Sequence, residues 1–178
     1  MRRTLRRAAV AAAAFSLVCF VAAAPTTASR TLLDGFEDPT LWHAAPASGV
    51  SLALSRTDGA HGGALRLDFD FAGHAGWAAV RRDLPLDLPD NWEISFAVRG
   101  ADAANDLEIK LVDTSGDNVW WAVRRDWAPP GELSTVTLKK RHFSFAWGPS
   151  EDRTLRRFAA IEFAVTSDRR GLDRILQI

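Results

Sequence analysis

The run Gly62-Gly-Ala-Leu-Arg-Leu-Asp-Phe-Asp-Phe71 decides how the rest of the chain is read. Leu65, Leu67, Phe69 and Phe71 alternate with Arg66, Asp68 and Asp70, a period of two that a β-strand converts into one apolar and one polar face. Working outward, Ile94, Phe96 and Val98 alternate in the same way with Glu93, Ser95 and Arg99. Val50 to Leu54, Leu107 to Leu111, Val119 to Val123, Val136 to Leu138 and Ile161 to Val165 repeat the pattern. Between these runs lie Asp58-Gly59, Gly62-Gly63, Asp87-Leu-Pro-Asp90, Ser115-Gly-Asp117, Pro129-Pro-Gly131 and Gly148-Pro149, whose positive-φ and fixed-φ residues reverse a strand. Many short strands with turn residues between them predict an all-β sandwich or barrel. Only Ser150 to Arg157 has the makings of a helical turn or two.

The N-terminus reads differently. Arg2, Arg3, Arg6 and Arg7 precede an alanine-rich apolar run from Ala8 to Ala24 and the small-residue stretch Pro25 to Ser29, which matches a secretory signal peptide over residues 1–28. The run falls short of the roughly 20 residues that a spanning helix needs. Cleavage would leave residues 29–178 as a single domain, secreted or periplasmic, with no membrane attachment. That domain has no cysteine, because Cys19 goes with the signal, so neither a disulfide nor a thiolate site is available to it. Four of the 22 basic residues and none of the 22 acidic ones lie in the segment, leaving 18 against 22. A net negative domain has no electrostatic footprint for nucleic acid.

Three stretches in order, Asp34-Gly-Phe-Glu-Asp38 with Trp42, Asp58 to Leu67, and Asp106 to Trp121, resemble the galactose-binding-domain-like carbohydrate-binding modules. The resemblance runs from about Leu32 to Thr166 and implies a jelly-roll β-sandwich that binds polysaccharide or oligosaccharide without hydrolysing it. It also implies company: such modules sit beside glycoside hydrolases or discoidin (coagulation factor 5/8 type C) domains, which further coding sequence downstream would supply. A structural calcium is implied as well, with Glu37 as the first-strand ligand and Asp58 in the loop before the Gly-Gly strand; a hard cation takes oxygen ligands of that kind. One departure stands out. Such modules close with an apolar-Asp-Asp-apolar strand beside the first, whereas Thr166 is followed by Ser-Asp-Arg-Arg-Gly-Leu-Asp-Arg-Ile-Leu-Gln-Ile178. The last strand is therefore expected to be missing or altered, the C-terminus truncated or frameshifted after about residue 168, and the last-strand aspartate absent or displaced to Asp173.

Catalysis finds little support. Glycoside hydrolysis needs two carboxylates across a cleft, and Asp68, Asp70, Glu93, Glu108 and Glu162 alternate with apolar residues as on any solvated strand face. There is no Gly-x-Ser-x-Gly, and His43, His61, His74 and His142 lack the spacing of a triad or zinc site.

Binding has better material, because sugars present flat apolar faces ringed by hydroxyls and are held by an aromatic plane flanked by polar groups. The chain has seven tryptophans and no tyrosine. In Asn118-Val-Trp-Trp-Ala-Val-Arg-Arg125 the alternation groups Trp121 with Val119 and Val123 as core, and Trp120 with Asn118 and Arg124 as the polar face. A hairpin through Thr114 to Asp117 would set Glu108 and Lys110 beside Trp120. Trp77, sharing a face with Arg81, would line the rim, and Trp147 would follow, with the basic run Lys139 to His142 before it as a candidate for acidic sugars or as a solvated strand edge. Two other readings stay open: a structural or protein-interaction sandwich with no glycan, and a part of a glycoside hydrolase.

Overall fold

The structure is a computed structural model that describes residues 29–59, 62–100, 104–167 and 174–177. The signal segment 1–28 with Cys19, and His61, Asp168 and Asp173, lie outside the described residues. Among the described residues the strands are β1 (His43–Ala44), β2 (Ser51–Asp58), β3 (Gly63–Asp70), β4 (Gly76–Asp87), β5 (Glu93–Gly100), β6 (Asn105–Val112), β7 (Val119–Trp127), β8 (Ser134–Lys139), β9 (Ser144–Trp147), β10 (Arg157–Ser167) and β11 (Arg174–Gln177). They form two sheets, one of six strands in the order β1-β4-β10-β6-β7-β9 and one of five in the order β2-β3-β11-β5-β8. Every pairing is antiparallel.

The sheets face one another across a single apolar layer. Leu65, Leu67 and Phe69 of β3 and Ile94, Phe96 and Val98 of β5 meet Leu107, Ile109 and Leu111 of β6 and Ile161, Phe163 and Val165 of β10. Phe96 and Phe163 join the two sheets edge-to-face, with ring centroids 5.0 Å apart. The alternation in β3, β5, β6 and β10 thus does what a half-buried strand requires.

One expectation needs correction, one strand was not foreseen, and the last strand takes a place of its own. Ser150 to Arg157 forms no helix: Glu151 is a bend, residues 152–156 have no regular secondary structure, Arg157 opens β10, and Asp152 accepts from Thr154 N and Arg156 Nη1. β4 shows no clean alternation because Ala78-Ala79 and Arg81-Arg82-Asp83 interrupt it, yet it is the longest strand of the six-stranded sheet. Its Pro85 falls where the register with β10 shifts, between the Ala160–Asp83 and Phe158–Leu86 pairs, a place that tolerates a missing N–H. The last strand is altered and not missing: β11 lies between β3 and β5, with Leu176 opposite Leu67 and Gly100, and not beside the first strand.

Candidate functional site

The β6–β7 hairpin fixes which tryptophan faces where. Asp113 Oδ1 accepts from the Ser115 hydroxyl at 2.6 Å and from the backbone N–H groups of Ser115 and Gly116, while its Oδ2 accepts from Asn118 Nδ2 at 2.7 Å. The Asn118 amide oxygen in turn takes Ser150 N at 2.8 Å. Burial pushes the Asp113 carboxyl up, but the bonds from Ser115, Asn118 and Gly116 outweigh it and hold it below the usual carboxylate range. The loop so closed sets Val112 opposite Val119, Leu111 opposite Trp120, and Lys110 opposite Trp121. Because Leu111 points into the core, so does Trp120.

The tryptophan on the outer face is therefore Trp121 and not Trp120. Trp120 is only 5% exposed, packs edge-to-face on Phe145 at 5.2 Å and donates from Nε1 to the Arg153 carbonyl at 2.8 Å. Arg124 pairs with Leu107 on the same core-facing side, and Asn118 is buried in the hairpin. None of these three belongs to the open face.

The outer face of the six-stranded sheet is built from the opposite residues. One row crosses it through His43, Arg81, Glu162, Lys110, Trp121 and Ser144, each directly opposite the next in register. Lys110 Nζ lies 3.0 Å from Glu162 and 3.2 Å from Glu108, and these three side chains are only 12%, 17% and 13% exposed. Trp121 meets Trp147 edge-to-face at 5.8 Å, and the Lys110 ammonium sits 5.7 Å from the Trp147 ring centre. Trp147, on the edge strand β9, and Trp77, on β4 next to the opposite edge strand β1, keep 47% and 48% of their surface exposed. The Trp77 ring is held by a bond from Nε1 to the Ala45 carbonyl at 3.1 Å. Glu108, Lys110, Trp77 and Trp147 thus share one face as expected; Trp121 and Glu162 join them.

The remaining carboxylates are elsewhere. Asp68, Asp70 and Glu93 lie on β3 and β5 of the other sheet. Glu108 and Glu162 share one ammonium between them, which is not the arrangement of two carboxyls facing across an open cleft. The Lys139 to His142 run is the turn from β8 to β9, with Lys140 Nζ on the Asp90 carbonyl at 2.8 Å, so it lies at the join of the two sheets.

Solved structures share this architecture. A family 11 carbohydrate-binding module of the cellulosomal cellulase Lic26A-Cel5E of Clostridium thermocellum superimposes with a TM-score of 0.66 at 17% identity, over 85% of this chain and 92% of that one. The fold is that of a carbohydrate-binding module. A family 11 module from Clostridium thermocellum in complex with a β-1,3-1,4-mixed-linked tetrasaccharide gives 0.63 at 20% identity, over 82% and 93%. A family 28 module specific for non-crystalline cellulose gives 0.50 at 17% identity, over 84% and 92%. No family model matches the sequence, and no curated protein does. Likeness at this identity establishes the jelly-roll β-sandwich; what this chain binds rests on its own residues.

Proposed function

We propose that the chain is an exported, non-catalytic module that binds a neutral polysaccharide along the outer face of its six-stranded sheet. The observation that carries this reading is the cluster of Glu108, Lys110 and Glu162 beside Trp121 and Trp147. An ordinary solvated strand face lets its lysines and glutamates extend into water, where an ion pair contributes little. Here the three charges are packed down and held by one another next to two indoles. Fixed donors and acceptors beside an aromatic plane suit the hydroxyl-ringed apolar face of a sugar. The arginine-led, alanine-rich N-terminus supports export.

Charge pairing favours a neutral ligand. Arg81 lies 3.7 Å from Asp83, Arg125 2.9 Å from Asp106, and Lys110 between two glutamates. A uronic acid entering this face would have to draw one of these cations from a carboxylate already beside it.

Affinity electrophoresis through β-glucans, galactans and uronic-acid polymers, with reducing-sugar release followed in parallel, tests the proposal. We expect retardation by a neutral polysaccharide, none by the uronic-acid polymers, and no released sugar. Retardation by no polymer would favour a protein-interaction sandwich, and released sugar would overturn the non-catalytic reading.

A further inference from the structure

Glu37 and Asp58 are the residues the family resemblance marks for a structural calcium. Glu37 Oε1 accepts from Gly63 N at 2.6 Å, and Oε2 accepts from Arg56 Nη2 at 2.8 Å. Both oxygens therefore already face hydrogen-bond donors. Arg99 Nη2 lies 3.3 Å from the Asp58 carbonyl oxygen, so a second guanidinium reaches the other end of the same loop. Calcium takes about six to eight oxygen ligands and repels such neighbours. Among the described residues no three His, Cys, Asp or Glu side chains converge on a point where a metal could sit. The described residues at this loop, Ala60, His61 and Asp173 lying outside them, do not fit calcium.

They fit a guanidinium. A Cβ added to Gly62 would run into Glu37 Oε1, and one added to Gly63 would lie 2.7 Å from Oε2 and 2.9 Å from Arg56 Nε. The Gly62-Gly63 pair thus lets the β2–β3 turn close directly over the carboxylate, which no side chain would permit. We propose that Arg56 takes the structural place of the divalent cation, tying the Glu37 segment to the β2–β3 turn through the chain's own side chain. The inference stands apart from glycan binding, since this end of β2 and β3 belongs to the other sheet.

Thermal melts of the full chain in EDTA and in millimolar calcium chloride test it. The wild type is expected to melt at the same temperature in both. Arg56→Ala should melt a few degrees lower in both, as befits a half-exposed pair. That loss should all but vanish in the Glu37→Gln background, because the partner is then already gone. A wild-type midpoint that falls in EDTA and recovers with calcium would overturn the proposal. So would an Arg56→Ala melt indistinguishable from wild type, or a loss just as large in the Glu37→Gln background.

Discussion

Adjacent in the chain, Trp120 and Trp121 are asked for different things. Trp120 gives its ring to Phe145 and its N–H to the Arg153 carbonyl, so truncation removes buried surface and leaves a carbonyl without its donor. Trp120→Ala is expected to cost about 3–5 kcal/mol of stability, a large part of what a domain of this size has. Trp121→Ala should shift the melting temperature little, since its ring rests on an outer face against Trp147. Chemical denaturation of the two variants checks this pair of outcomes. Equal losses would place Trp121 in the core. The tryptophans themselves were legible as the residues that matter, but alternation could not say which one faces out. Val119, Trp121 and Val123 do share a face, and apolar neighbours made that face look like the core; Ala122 beside Trp120 was the quieter sign of the true one.

At the scale of the element, the deciding information lies in the loop that closes a hairpin. Counting outward from the Val112–Val119 pair gives every partner along β6 and β7, and a slip of one residue would exchange the two tryptophans. Asp113 is the closing residue, and it carries several bonds in the folded state that its unfolded counterpart lacks. Asp113→Ala should therefore cost about 1–3 kcal/mol. Its acid dependence has a definite sign. With the folded carboxyl held below the unfolded value of about 3.9, Asp113 contributes fully above that pH and loses its contribution as the pH falls through the lower, folded value. Melts of the wild type and of Asp113→Asn between neutral pH and pH 2 should converge as acid is added. A gap that stays constant would mean that the carboxylate form is not what holds the hairpin. Elements with clean alternation, β3, β5, β6 and β10, were legible from sequence. β4 was not, because its two-residue runs of alanine and arginine hide a period that pairing with β10 nonetheless enforces.

On the scale of the whole molecule, the closed sandwich depends on a short strand that sequence pattern undervalued. Arg174–Gln177 offers four residues, too few for alternation to register, yet it lies between β3 and β5. Its place comes from the slot between two longer strands, which no local pattern encodes. The two outer faces that result differ in character. On the five-stranded sheet Ser95 and Thr137 bond to each other across β5 and β8 in an exposed, small-residue surface. On the six-stranded sheet the glutamates, lysine and indoles are drawn together. The measurement that tests the proposed binding face most directly is calorimetric titration of one retained neutral oligosaccharide into the wild type, Trp121→Ala and Ser95→Ala. Loss of one stacking ring, taken at the scale known for aromatic rings under flat ligands, should weaken binding by about 1–3 kcal/mol in Trp121→Ala and leave Ser95→Ala at the wild-type affinity. An affinity unchanged in Trp121→Ala, or lowered equally by Ser95→Ala, would contradict the assignment of the binding face to the six-stranded sheet.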